Sequence, residues 1–167
     1  MDTAFRPYRS VLYIPGSKER ALDKARGLAC DAIIFDLEDA VTPDAKGSAR
    51  ETLKAALEQD GYGERAKIIR INGLDTDWGA DDVAVLKDAK ADAMLLPKVD
   101  SVADVEALDA LMGEAMDIWC MIETPLGVLN ALEIAAHPRV KGFVAGTNDL
   151  AKELNCRARA DRLPMMF

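Results

Sequence analysis

The chain has 167 residues, the size of one ordinary domain or of a piece of a larger one. Half of the residues are hydrophobic and 30% are charged, the balance of a globular chain and the wrong one for a disordered segment. Lys and Arg number 21 against 29 Asp and Glu, a net charge of −8, which weighs against nucleic-acid partners and against adhesion to an anionic membrane.

No apolar run approaches the ~20 residues that span a bilayer. The first ten residues, MDTAFRPYRS, lack the hydrophobic segment and cleavage site of a secretory signal. Cys30, Cys120 and Cys156 are odd in number, far apart and outside any CxxC pair. They argue against a disulfide framework or a zinc site and point to the reducing cytoplasm.

In chain order, the first short apolar run, 9–15, predicts a strand. Ser17 then predicts a helix cap, with Leu22, Ala25 and Leu28 marking one helical face. A second strand is expected over 31–37. Thr42 and Pro43 read as a cap with proline at the first helical position, and Gly61 follows that helix's end. Strands are expected again over 66–71 and 92–97. Ser101 and Asp104 form a capping-box pattern before Val102, Val105, Leu108 and Leu111, and Gly113 stops that helix. A fifth strand, 117–122, leads to a second cap-plus-proline pair, Thr124–Pro125, and a sixth strand is expected over 141–145.

Alternating strands and helices at this spacing mean βα units and a parallel sheet. An open doubly wound sheet has five or six strands, whereas a closed (β/α)8 barrel has eight and usually ~250 residues. The first strand is followed by PGSKER, not GxGxxG, and no GxxxxGK[ST] occurs. The chain ends at DRLPMMF just after a helix. The reading is a single barrel domain over residues 1–167, C-terminally incomplete, supplying about the first six βα units of an α/β TIM barrel.

Ionisable residues gather at the C-terminal ends of these strands: Asp36, Glu38 and Asp39; Arg70 and Asn72; Lys98; Glu123; Asn148 and Asp149. In parallel α/β folds those ends converge on one rim, where sites are built. Strand alternation puts Asp36 and Glu38 on one side, and Ile68, Arg70 and Asn72 on one side. Each residue also has a plainer reading. The acids of DLED suit the approach to a helix, Arg70 suits a structural partner for one of them, and Asp149 suits the first turn of a helix. Glu123 closes an apolar strand and needs a partner or a metal. Two carboxylates from adjacent strand ends suit Mg2+, which leaves its other positions to water and substrate, and an arginine beside them can grip a substrate carboxylate. His137, the one histidine, falls at the opposite end of the sheet, so a nucleophile activated by histidine is not expected.

The segments RSVLYIPGSKERALDKA, FDLEDAVTPDAK, IRINGLDT, LLPKVDS, IETPLG and GTNDLAKEL, in this order over residues 9–155, resemble the HpcH/HpaI aldolase and citrate lyase β-subunit family of CoA-ester lyases, nearest its malyl-CoA lyase and malyl-CoA thioesterase branch. The resemblance implies a (β/α)8 barrel assembled as a homotrimer or homohexamer. It implies Mg2+, with Mn2+ as a substitute, held by Glu123 and Asp149. It places the 2-oxo acid carboxylate on Arg70, the CoA ester on Tyr13, Lys18, Lys24 and Asn148, and Glu38 and Asp39, with Lys98, around metal-bound water and Arg70. The acid/base residue would come from a C-terminal region of a neighbouring subunit that lies beyond Phe167. The implied reaction is lyase cleavage of a malyl-CoA-like 3-hydroxyacyl-CoA to glyoxylate and acetyl-CoA. The alternatives are a malyl-CoA thioesterase on the same scaffold, a non-catalytic CoA-ester-binding subunit, and an aldolase using Lys98 as a Schiff base.

Overall fold

The computed structural model describes residues 7–114 and 116–166. The reading of the first residues as no secretory signal, and of the chain's last residue, lies outside them. The elements run β1 (Val11–Pro15), α1 (Glu19–Ala25), β2 (Ala32–Asp36), a 3-10 turn (Pro43–Ala45), α2 (Lys46–Glu58), β3 (Ala66–Arg70), α3 (Gly79–Leu86), β4 (Ala93–Leu96), α4 (Val102–Met112), β5 (Asp117–Ile122), α5 (Pro125–Leu129), α6 (Ala131–Ala135), β6 (Val140–Ala145) and α7 (Thr147–Glu153), with a 3-10 turn at Leu163–Met165. All neighbouring strands are parallel, and the sheet order is β1-β2-β3-β4-β5-β6. Each strand thus lies beside the one before it, the arrangement of consecutive units in a (β/α)8 barrel.

Alternation along the strands separates two cores. Ile33, Phe35, Ile69, Met94, Leu96, Ile118 and Cys120 pack outward against helix residues such as Leu22, Leu53, Val83, Val105 and Leu108. Ala32, Ile34, Ala66, Ile68, Ala93, Leu95, Trp119 and Met121 form a separate inner cluster. Small and large residues alternate in that inner layer, and Gly142 leaves room for the Trp119 indole, since a Cβ there would lie 2.7 Å from its ring. Continuing the inner alternation by two residues brings Asp36 after Ile34, Arg70 after Ile68 and Glu123 after Met121. Apolar layers therefore fill the interior below, and Asp36, Arg70 and Glu123 follow at its C-terminal rim.

Several local signals hold. Thr124 caps α5, its Oγ1 accepting the Gly127 N–H at 2.9 Å. Asp104 accepts the N–H groups of Asp100 and Ser101 at 3.0 and 2.8 Å, and Gly113 ends α4 with φ +66°. Ser17, by contrast, does not cap α1. A turn in which the Lys18 N–H bonds the Pro15 carbonyl uses residues 15–18, so Lys18 becomes the N-cap. Thr42 precedes the 3-10 turn, but its side chain makes no cap bond. Leu111 is 45% exposed, because the helical pitch carries the buried face through Val105, Leu108 and Met112. Among the described residues, no helix is long and apolar enough to cross a membrane.

Candidate active site on the strand-end rim

Asp36 and Arg70 are paired across β2 and β3 in the sheet register, so their side chains leave the strands side by side. Both are buried. Asp36 Oδ1 accepts from Arg70 Nε at 2.8 Å and Oδ2 from Nη2 at 2.5 Å, a two-point fork. Asp36 also accepts the N–H groups of Glu38 at 2.8 Å and Ala40 at 3.2 Å, which folds the DLED segment back over the strand end. The third guanidinium nitrogen, Nη1, lies 2.6 Å from Glu38 Oε2 and 3.4 Å from Asp39 Oδ2, with Met121 Sδ at 3.7 Å. The Tyr13 ring sits 5.4 Å from the guanidinium carbon. Burial opposes the Arg70 charge, but the Asp36 hydrogen bonds and the surrounding acids hold it above its ordinary range. Arg70 is therefore permanently cationic, and only its Nη1 end faces outward.

That geometry changes one sequence expectation. A substrate carboxylate cannot take the planar fork of Arg70, because Asp36 already fills it. Nη1 is the guanidinium nitrogen left outside that fork, and Glu38 and Asp39 stand against it. Burial pushes Glu38 up to about 7, against the pull of Arg70, with Asp39 and Glu123 adding to the rise. Its buried Oε2 lies close to Nη1 but accepts no directed hydrogen bond.

The second half of the rim comes from β5 and β6. Glu123 follows Ile122 and is 3% exposed. Its Oε1 accepts the Lys98 N–H at 2.9 Å. Burial raises its pKa, the Lys98 N–H opposes that rise, and the Asp149 charge adds to it. Asp149 stands half-buried in the first turn of α7, and Asn148 beside it is exposed. No group of three or more His, Cys, Asp or Glu is arranged to hold a metal among the described residues. Two carboxylates nevertheless fit Mg2+ well, since that ion takes one or two and leaves the remaining positions to water and substrate. Glu123 Oε2 accepts no hydrogen bond from any described residue and faces Gly146.

Lys18 and Lys24 are not brought together. Lys18 starts α1 near the rim, while Lys24 lies in the last turn of that helix, six residues or about 9 Å further along its axis. Both are exposed. Arg26 turns to Asp23, Gln59 and the Tyr62 ring and serves packing. Asn72 points to Asp82 at 2.6 Å and to the Leu37 carbonyl at 3.1 Å, away from the Arg70 fork. Lys46, which the sequence did not single out, is buried and clamps the DLED turn through the carbonyls of Leu37 at 2.8 Å and Glu38 at 2.7 Å. Its signal was present only as a helical lysine placed inward. His137 precedes β6, opposite the rim, as expected.

A parallel βα array with a buried cation and carboxylates gathered at its strand ends has the layout of a barrel rim, and comparison with known proteins narrows the class. The HpcH/HpaI aldolase/citrate lyase family matches residues 9–166, and the chain belongs to that family. It is 62% identical over 159 residues to a (3S)-malyl-CoA thioesterase of Cereibacter sphaeroides (strain KD131), covering 95% of this chain and 55% of that protein. It is 36% identical over 162 residues to an L-malyl-CoA/beta-methylmalyl-CoA lyase of Cereibacter sphaeroides (strain ATCC 17029), covering 89% of this chain and 51% of that protein. Among solved structures, CitE of Mycobacterium tuberculosis in complex with magnesium, acetoacetate and coenzyme A superposes with a TM-score of 0.76 at 33% identity, over 90% of this chain and 54% of that one. The chain spans about half the length of the curated relatives it matches. The likeness confirms the α/β barrel reading, with six units present here.

Proposed function

We propose that this chain carries the substrate and metal rim of a Mg2+-dependent malyl-CoA thioesterase. The observation that carries the reading is buried Glu123 at the end of β5, where α7 starts with Asp149 in its first turn, on the rim that holds the Arg70 cation. The stronger identity to thioesterases than to a lyase favours hydrolysis over the carbon–carbon cleavage expected first. Magnesium in the CitE complex supports a Mg2+ site at Glu123 and Asp149 here.

Mg2+, when bound, supplies Lewis-acid stabilisation of the negative charge that develops on substrate oxygens. The chain's own residues do the rest. Arg70 Nη1 meets the malyl carboxylate, while Asp36 keeps the guanidinium from turning. Tyr13 and Asn148 flank the thioester arm, and Lys18 and Lys24 offer charge to the CoA phosphates. Glu38 and Asp39 order water beside Arg70, and a carboxyl near pH 7 is well matched to exchanging a proton with it. Water attacks the thioester carbon, the C–S bond breaks, and the thiolate leaves as the CoA thiol once protonated. The products are malate and free CoA. The rest of a single barrel domain closing the sheet between β6 and β1, and assembly as a homotrimer or homohexamer, belong to the same proposal.

A second reading, lyase chemistry on the same rim, is favoured by the family's aldolase and citrate lyase members. Product analysis with malyl-CoA separates the two. Malate and free CoA are expected; glyoxylate and acetyl-CoA would establish the lyase instead. Chelation is expected to abolish turnover, and Mg2+ to restore it.

A further inference from the structure

The carboxylate of Glu123 is held from two sides by backbone features that its own strand does not supply. On one side, Lys98 follows β4 with φ +51°, one of three non-glycine residues in the left-handed region among those described. Such a conformation is strained for a residue with a Cβ and persists only where the surroundings impose it. Here it turns the Lys98 N–H onto Glu123 Oε1 at 2.9 Å, while the next residue, Val99, returns to the ladder by donating to the Met121 carbonyl at 3.2 Å. The Lys98 side chain is exposed and makes no hydrogen bond or ion pair with a described residue. What residue 98 gives the site in contact is its peptide.

On the other side stands Gly146, with φ −84° and ψ 73°, so glycine is not required there by a positive φ. Space demands it. A Cβ on residue 146 would fall 2.5 Å from Glu123 Cβ and 3.1 Å from its Cδ. The Gly146 N–H donates to the Ile122 carbonyl at 3.0 Å, and its carbonyl accepts from Leu150 at 3.1 Å, starting α7. The helix that presents Asp149 is thereby seated directly on the strand end that presents Glu123.

We propose that Lys98, through its left-handed peptide, and Gly146, through its missing side chain, are positioning residues that preset the Glu123 carboxylate for a divalent cation. This rests on the metal reading above. The test is calorimetric Mg2+ binding to the full-length protein, with circular dichroism and thermal melting to confirm the fold. Lys98→Gly and Lys98→Asn drop the ammonium yet tolerate the left-handed turn, whereas Lys98→Val drops it and resists the turn; Lys98→Ala serves where the Val variant melts early. Expected Mg2+ affinities are within about twofold of the parent for Gly and Asn, and at least about tenfold weaker for Val and for Gly146→Ala. Equal weakening of Lys98→Gly and Lys98→Val would overturn the proposal, because the left-handed turn would then not decide the affinity. Parental affinity in a folded Lys98→Val variant would overturn it too. Glu123→Gln separates the levels: undiminished Mg2+ binding there sinks the metal reading itself, while loss there with none in Lys98→Val sinks this inference alone.

Discussion

Arg70 shows how one side chain can be structural and functional at once. Three of the acids around it come from a single short segment, Asp36, Glu38 and Asp39, and the strongest contact is the two-point fork to Asp36. Arg70→Lys keeps the charge but has one ammonium for two buried acceptors. Its kcat/KM for malyl-CoA is expected to fall more than about tenfold, at least ~1.4 kcal/mol of transition-state stabilisation. Glu38 makes a second prediction. Burial raises its carboxyl from an ordinary 4.5 to about 7, so the native state binds more protons than the unfolded chain between those values. Stability therefore falls as pH rises through that window, and the loss is complete above about 7. With its side chain only 14% exposed, the effect amounts to at most ~3 kcal/mol. Denaturant midpoints across pH 4–8 are expected to decline less steeply in Glu38→Gln than in the parent; parallel curves would refute the assignment. Alternation along AIIFDLED and AKIIRIN made Asp36 and Arg70 readable as rim residues, but not their mutual fork, which depends on strand register. Nothing in LLPKVD announced a left-handed lysine, because that conformation is imposed by neighbours and not by lysine's own preference.

Among the elements, the best-marked boundaries were those in which a side chain closes its own helix end. Thr124 is one: it holds the Gly127 N–H and also donates to Asp100 Oδ1, so it ties α5 to the loop before α4. Thr124→Ala is expected to lose about 1–2 kcal/mol in chemical denaturation, and Thr124→Ser most of that cost back. Equal stability of the two variants would show that the hydroxyl is idle. Helix α3 was the element least visible in sequence. It has no side-chain cap, and its anchor is the fully buried Asp82, held by Arg50 Nε at 2.6 Å, the Asn72 N–H at 2.8 Å and Asn72 Nδ2 at 2.6 Å. Arg50 sits 32 residues before Asp82 in the chain, so local pattern could not reveal the partnership. The separation of Lys18 from Lys24, by contrast, is local and follows from helix rise alone.

Across the whole molecule, six strands in unbroken order share one rim and one inner core, and this much was readable from strand spacing and the polar strand ends. The two outermost strands are paired on one side only, and their side chains are correspondingly more open, with Val11 and Tyr13 at 40% and 39% exposure and Phe143 at 40%. In this chain of 167 residues, amide exchange is expected to be at least about tenfold faster in β1 and β6 than in β3 and β4, as read by exchange mass spectrometry. Uniform protection across all six strands would contradict the order of pairing.

That order also bears on how the chain acquires its shape during synthesis. Every strand finds its partner in the segment made just before it; Val11 pairs with Ala32, and Asp36 with Arg70. Among these six strands each pairing joins consecutive units, so loop-closure entropy is met in small steps. Arg70 emerges after all three of its acidic partners, which means its charge is neutralised as β3 docks. The Arg70 cluster is in place before Glu123 and Asp149 are translated, so the last acids to arrive join a rim whose cation is already partnered.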